Sequence, residues 1–201
     1  QQVGHIRIFA NTTAVTDFLP ETLAVLMVQH PQLTIDLQER ANLEVLRGVA
    51  EGASDIGITA GPIKAQDLEV IHFSTDRLVL TTSSGHPLAH LQSVDLEQTL
   101  NYPHICLQEG SSLLRFLKNE VDNLQRVINV RSQVFGLESM CRMIEGGVGI
   151  GIMPESSALR HKKTMDIQIV QLDEPWAVRE RSIVVRDSQA LPEYVKTLIK
   201  L

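Results

Sequence analysis

At 201 residues, with 43% hydrophobic and 21% charged side chains, the chain has an ordinary globular composition, long enough for one large domain or two small ones. A formal net charge of -6 argues against this chain gripping nucleic acid by itself, because phosphate neutralisation supplies most of such affinity. No apolar run is long enough to span a bilayer, and no signal peptide is visible.

Residues 3–9 alternate well enough to predict a first strand. Asn11, Thr12 and Thr13 follow, then an apolar-periodic helix running to about His30 with Leu19, Leu23, Leu26 and Met27 as its stripe. Thr13 or Thr16 is placed to cap it, since a hydroxyl oxygen accepts first-turn amide protons. Pro20 is tolerable near a helix start, and Pro31 closes the segment. Leu33, Ile35 and Leu37 alternate with polar residues as a second strand. A second amphipathic helix over residues 43–51 ends at Gly52, and residues 55–59 (DIGIT) read as a short buried strand. This alternation predicts a parallel sheet with right-handed crossovers. Residues 68–82 then stay β-rich for longer than one short strand needs, as a strand passing between subdomains would.

A turn at residues 85–88 leads to a short helix from Val94 with Ser93 as a possible cap, and then to a strand over residues 104–107. The polar cluster Gln108, Glu109, Gly110, Ser111 and Ser112 precedes a helix over residues 113–121, and residues 126–130 read as a strand. Residues 137–154 (LESMCRMIEGGVGIGIMP) carry the clearest pattern. Leu137, Met140, Met143 and Ile144 recur at helical spacing, Gly146-Gly147 stops the helix, and Val148, Ile150, Ile152 and Met153 suit a buried parallel strand. Gly149 and Gly151 would let a neighbouring helix or ligand come close. Strands over residues 165–172 and 180–185 and a helix over residues 191–201 complete the chain.

Catalysis has no visible carrier. The glycines match neither the phosphate-cradling loop nor the dinucleotide fingerprint, because a helix precedes them and a strand follows. His86 and His90 stand four apart, but Pro87 lies between them and no glutamate completes a zinc motif. Cys106 and Cys141 lack metal-ligand spacing and read as buried and reduced, which favours a cytoplasmic setting. The chain is therefore read as no enzyme, with no metal and no cofactor. Two polar clusters remain, Asn11 to Thr13 and Gln108 to Ser112, each between a strand and a helix. Helix capping accounts for either one alone. Their duplication at sheet ends, where open α/β sheets take ligands, points to a site.

The ordered motifs Gly4 with Ile6-Arg7-Ile8, Leu19-Pro20, His30-Pro31, Leu46 with Gly48-Val49 and Gly52, Asp55-Ile56-Gly57-Ile58, His86-Pro87-Leu88-Ala89, and Ile144 to Pro154 resemble the effector-binding domain of LysR-type transcriptional regulators over essentially the whole chain. The resemblance implies an α/β fold of two Rossmann-like subdomains joined by two crossover strands, periplasmic-binding-protein-like of type 2. Subdomain I would hold residues 1–75 and 182–201 and subdomain II residues 76–181, with the crossovers near residues 73–77 and 179–182. It implies a small polar effector, carboxylate-bearing in one form, held in the cleft by Asn11, Thr12, Thr13, Gln108, Glu109, Gly110, Ser111, Ser112, Val134, Phe135 and Gly136. Glu109 departs from the family's small polar residue, and an acid there weakens anion binding unless it points away. The resemblance further implies a homodimer through Phe18, Val25, Leu26, Gln29, Met140 and Arg142, and a tetramer in the full-length protein. DNA would be bound only through an N-terminal winged helix-turn-helix, absent here and in keeping with a start at Gln1 rather than Met. A solute-binding receptor of a transport system, built on the same fold, is the alternative reading.

Overall fold

In the computed structural model, which describes residues 4–15 and 19–199, the first sixty positions form the predicted alternation: β1 (His5–Ala10), α1 (Leu19–Gln29), β2 (Thr34–Glu39), α2 (Asn42–Glu51) and β3 (Ile56–Ala60). Strand β1 is central and pairs parallel with both β2 and β3. Pro20 sits at the second position of α1, where its missing N–H costs no helical bond, and Leu19, Leu23 and Leu26 bury the helix against the sheet. Helix α2 lies close to the same sheet. A Cβ on Gly57 would stand 2.5 Å from Val45 Cγ1 and 2.9 Å from Val49 Cγ2, so only glycine permits this approach.

Strand β4 (Glu69–Ser83) is the long strand that its composition predicts. Beyond it come β5 (Ser93–Val94), α3 (Leu96–Thr99), β6 (His104–Leu107), α4 (Ser112–Asn123), β7 (Val130–Val134), α5 (Leu137–Glu145), β8 (Gly151–Pro154), α6 (Glu155–Lys162) and β9 (Ile167–Leu172). The chain then returns through β10 (Val178–Val185) and closes with α7 (Glu193–Ile199). Two units result. One comprises residues up to Thr75 and from Glu180 onward; the other is Asp76–Arg179. Strands β4 and β10 each contribute residues to both.

In the first unit the sheet runs β2-β1-β3-β10, with β10 antiparallel to β3. Its core joins Ile6, Ile8, Ile56 and Ile58 of the sheet to Leu23 and Leu26 of α1 and to Val195 and Leu198 of α7. In the second unit β4 pairs antiparallel with β8 and β9, β9 runs parallel to β5, and β6 runs parallel to β7. The apolar stripes of α4 and α5 pack into its core with Ile105, Leu107, Ile150, Ile152 and Met153.

Several local expectations differ from the structure. The strand placed at residues 126–130 begins only at Val130, because Gln125 takes a positive φ of 56° and Val127 is 85% exposed, outside any ladder. Helix α3 is capped by Asp95, not Ser93: Asp95 Oδ1 accepts from the Gln98 amide at 2.8 Å while Gln98 Oε1 accepts from the Asp95 amide at 2.9 Å. Ser93 belongs to β5. After α5 the positive φ falls on Gly147, at 82°. Strand β8 is buried as predicted but antiparallel to its partner β4; only Ile150 makes a parallel bridge, to His104. An apolar run reports that both faces are covered, not which way the neighbouring strand runs. Helix α6 follows directly on Pro154, where no helix was expected, and the closing helix begins at Glu193, two residues later than predicted, with the last two predicted positions outside the described residues.

Candidate functional site

Each unit presents one polar cluster where a parallel strand hands over to a helical segment. In the first unit Asn11, Thr12 and Thr13 follow β1, and all three are buried. The Asn11 amide donates to the Ile58 carbonyl at 3.1 Å, extending the β1–β3 ladder by one step. Its side-chain Oδ1 accepts from the Ala14 amide at 3.0 Å, so Asn11 caps the helical turn of residues 12–15. Thr13 lies inside that turn and is not the cap; Thr16, the other candidate, lies outside the described residues. Thr12 Oγ1 donates to Glu39 Oε1 at 2.6 Å.

Three residues that the sequence reading passed over border this cluster. Glu39 ends β2, and the Arg40 guanidinium lies 4.9 Å from the Phe9 ring centroid while donating to the Glu39 carbonyl at 2.7 Å. Asn42 opens α2 and donates from Nδ2 to the Ala60 carbonyl at 2.7 Å. All three fall at strand-to-helix junctions, the signal that singled out Asn11 to Thr13.

In the second unit Ser111 caps α4 by accepting from the Leu114 amide at 3.1 Å, and Gly110 makes the preceding turn at φ 87°. Ser112 is the first residue of α4, and Gln108 is half-buried directly after β6. Glu109 is exposed and pinned: its Oε1 accepts from Lys118 Nζ at 3.0 Å and from Gln133 Nε2 at 3.2 Å. These hydrogen bonds, Lys118 first, hold the Glu109 carboxyl below its ordinary range, so it stays ionised at neutral pH. Lys118 and Gln133 were not anticipated, because the contacts depend on how α4 and β7 flank β6.

The β6–β7 ladder sets Val134 opposite Leu107, and so brings Val134, Phe135 and Gly136 beside the Gln108 to Ser112 cluster. Phe135 is 82% exposed, and Gly136 turns the chain into α5 with φ 89°. Cys106, one strand position before Leu107, has its thiol pushed up to about 11 by burial, so it is no nucleophile at neutral pH. Cys141 is buried on α5 with Sγ 3.6 Å from Met153 Sδ.

The residues assigned to a dimer surface divide. Val25, Gln29 and Arg142 are exposed. Leu26 and Met140 are 3% and 1% exposed and lie within the cores of their own units, so neither offers surface to a second copy. Phe18 lies outside the described residues. Among the described residues no group of three or more His, Cys, Asp or Glu side chains gathers to hold a metal, and no helix is long and apolar enough to cross a membrane.

Two α/β subdomains sharing two crossover strands define the periplasmic-binding-protein-like class, and solved structures with this fold cover 98–99% of the chain. The model of the LysR substrate binding domain matches residues 1–201, and the chain belongs to that family. Among its relatives is the "HTH-type transcriptional activator CmpR" of Synechocystis, 27% identical over 75% of this chain and 49% of that protein. The regulatory domain of CcmR from Synechocystis, solved in complex with 2-PG, superposes with a TM-score of 0.80 at 20% identity, covering 98% of this chain and 96% of that one. The effector binding domain of QuiR in complex with shikimate gives 0.73 at 20% identity, over 99% and 94%. The chain spans between about half and two-thirds of the curated relatives it matches, and these are named as transcriptional regulators, not as enzymes.

Proposed function

We propose that this chain is the ligand-sensing part of a LysR-type transcription regulator of the cytoplasm, and that a small polar effector binds between its subdomains. The carrying observation is the duplication: Asn11 to Thr13 in one unit and Gln108 to Ser112 in the other stand at the end of a parallel strand, each with a capped helical start. Gln108, Ser111, Ser112 and the Val134 to Gly136 turn supply one wall, with Phe135 covering an apolar portion of the effector. The pinned, ionised Glu109 accepts from a hydroxyl or other donor on it. Differential affinity for closed and open subdomains would then shift DNA-binding arms supplied by a helix-turn-helix segment of the full-length protein. The chain pairs as a homodimer through the exposed side of α1, with tetramers in the full-length regulator.

Melting with a panel of small carboxylates and phosphate esters, 2-PG and shikimate among them, tests this reading. A bound effector at free concentration L stabilises the folded chain by RT ln(1 + L/Kd), so the melting temperature keeps rising with L above Kd. Thr13→Ala should then weaken it by about 0.5–1.5 kcal/mol for a neutral hydrogen bond. Ser111→Ala also removes the α4 cap, worth about 0.5–2 kcal/mol, so its ligand-free melt must be subtracted. Unchanged affinity in both variants would move the ligand elsewhere and end the two-cluster model.

A further inference from the structure

Strands β1 and β3 run parallel, so the sheet edge where both begin lies the length of β1, about 17 Å, from the edge where Asn11 to Thr13 follow it. At the starting edge a cavity of about 310 Å³ opens between the strands and the connection from β10 to α7. That volume suits a small molecule. The buried Ile6 lies on the strand side, and Leu191, Pro192 and Val195 cover it from the α7 side, so the body of the cavity is apolar.

The charged groups gather where β10 ends. Antiparallel pairing sets Val184 opposite Gly57, which brings Arg186, two residues on, level with Asp55. Asp55 is already satisfied by Arg7: Oδ2 accepts from the Arg7 amide at 2.8 Å and from Nε at 3.3 Å, and Oδ1 accepts from Nη2 at 2.9 Å. Arg186 is fixed but not used up. Its Nη1 donates to the Val49 and Ser54 carbonyls just where α2 ends, the latter at 3.0 Å. Its Nη2 stays 4.0 Å from Asp55, beyond hydrogen-bond reach. A guanidinium held at one nitrogen presents the other in a set direction, which lowers the cost of receiving a carboxylate. Asp187, next in the chain, also lines the cavity and is exposed. Its Oδ1 accepts from the Gln189 amide at 3.0 Å, which leaves Oδ2 for a donor. With Arg7 and Asp55 cancelling, one cation and one acid remain side by side at the rim of an apolar chamber.

We infer that this cavity binds a small zwitterion with an apolar body, the chemistry of a free amino acid with an aliphatic or aromatic side chain. The carboxylate sits on Arg186 Nη2, the ammonium on Asp187, and the side chain against Leu191, Pro192 and Val195. A plain monocarboxylate gains Arg186 but is repelled by Asp187, a plain amine meets the converse, and only the zwitterion satisfies both. The site goes beyond the effector reading and does not depend on it, since every residue used belongs to the first unit and to the other end of its sheet.

The test is an amide-resolved NMR titration of the 15N-labelled chain with L-leucine, and separately L-phenylalanine, at neutral pH and fixed ionic strength. Each is compared with its analogue lacking the amine (isocaproate, phenylpropanoate) and its analogue lacking the carboxylate (isoamylamine, phenethylamine). At least one amino acid should shift and saturate the amides of Ile6, Arg186, Asp187 and Leu191. Its truncated analogues should bind about tenfold more weakly, as loss of a bond to a charged group does. Asp187→Asn keeps an acceptor for the Gln189 amide and removes the charge, so it should weaken the amino acid by about tenfold while the amine-free analogue binds as well as before or better. No shift at those four amides with either amino acid overturns the site. So does an amine-free analogue that binds the unmodified chain as tightly as its parent, or full amino-acid affinity in Asp187→Asn. Shifts confined to Asn11 to Thr13 and Gln108 to Ser112 overturn it too, and would place the amino acid at the effector clusters instead.

Discussion

Alanine placed singly at Gly146, Gly147 and Gly151 should separate three uses of glycine in one short stretch. At Gly146 φ is -70°, and a Cβ would meet only carbonyl oxygens at 3.5 and 3.6 Å, an ordinary contact. Replacement there restricts the unfolded chain without straining the folded one and should stabilise by about 0.4–1 kcal/mol. At Gly147 φ is 82° with nothing within 4 Å, so the cost is backbone alone, about 1–2 kcal/mol before the same entropic offset. At Gly151 the Cβ would overlap Met140 Cε and stand 2.9 Å from Ile144 Cδ1 and 3.2 Å from the Ile105 carbonyl oxygen. Met140 and Ile144 are 1% and 0% exposed, so neither end can retreat into solvent. Overpacking of that kind costs about 1–3 kcal/mol, the largest loss of the three. The chain's single tryptophan, Trp176, packs edge-on against Phe116 at 5.3 Å in the same unit, so its fluorescence during urea unfolding reads this unit directly. A wild-type midpoint for Gly151→Ala, or Gly146→Ala as the worst of the three, would refute the packing argument.

The buried His104 should make the same unit acid-sensitive. Burial lowers its pKa, only partly opposed by its hydrogen bond to the Thr99 carbonyl, and nearby His86, itself lowered by burial, pushes the same way. The unfolded chain then binds protons that the folded one refuses, so stability present above about pH 6.5 is lost as pH falls through the folded value. Trp176-monitored urea midpoints at pH 7.5 and 5.5 should fall accordingly, and a flat profile would contradict it. Asp76→Asn should destabilise the unit by about 3–5 kcal/mol, because it removes a buried carboxylate charge 3.3 Å from Arg179, whose side chain is 4% exposed. Replacing both members by leucine and methionine should cost less than Asp76→Asn alone in the same melts. Val25, 58% exposed on α1, should yield monomers in light scattering when changed to aspartate, if it lies at the proposed dimer surface and the charge is buried there unpaired; an unmodified chain that is already monomeric at high concentration would refute the proposed pairing.

Periodicity made most elements legible because the first half is built from βα steps whose burial repeats along the chain. The fifteen-residue β4 was visible as a β-rich run too long for one parallel strand. What escaped was set by neighbours rather than by local pattern. The direction of β8 depends on β4, and the start of β7 depends on its register with His104. One miss was local: Asp95 and Gln98 stand in the spacing of a reciprocal cap, and Ser93 drew attention from them. At the candidate site Asn11 and Ser111 were readable as polar residues at helix starts, but the partners of Thr12 and Glu109 come from β2, α4 and β7. Leu26 and Met140 show the same limit in reverse, since a stripe tells that a side chain is apolar and not which of two surfaces claims it.

The interrupted first unit carries a consequence for synthesis. The second unit is one uninterrupted stretch whose two ends, Asp76 and Arg179, are bonded to each other. Every residue it needs, up to Arg179 at the start of β10, is synthesised before the rest of β10 and α7. The first unit instead waits for Val184 and Val185 and for Val195 and Leu198 of α7 to complete its core and to cover the edge of β3. Until then β1, β2 and β3 form a half-sheet with an open edge, the kind of surface that pairs with other chains. Truncations after residue 179 should therefore leave a folded second unit attached to an aggregation-prone first one, so loss of the last few elements would show as insolubility rather than as loss of the glycine-rich core.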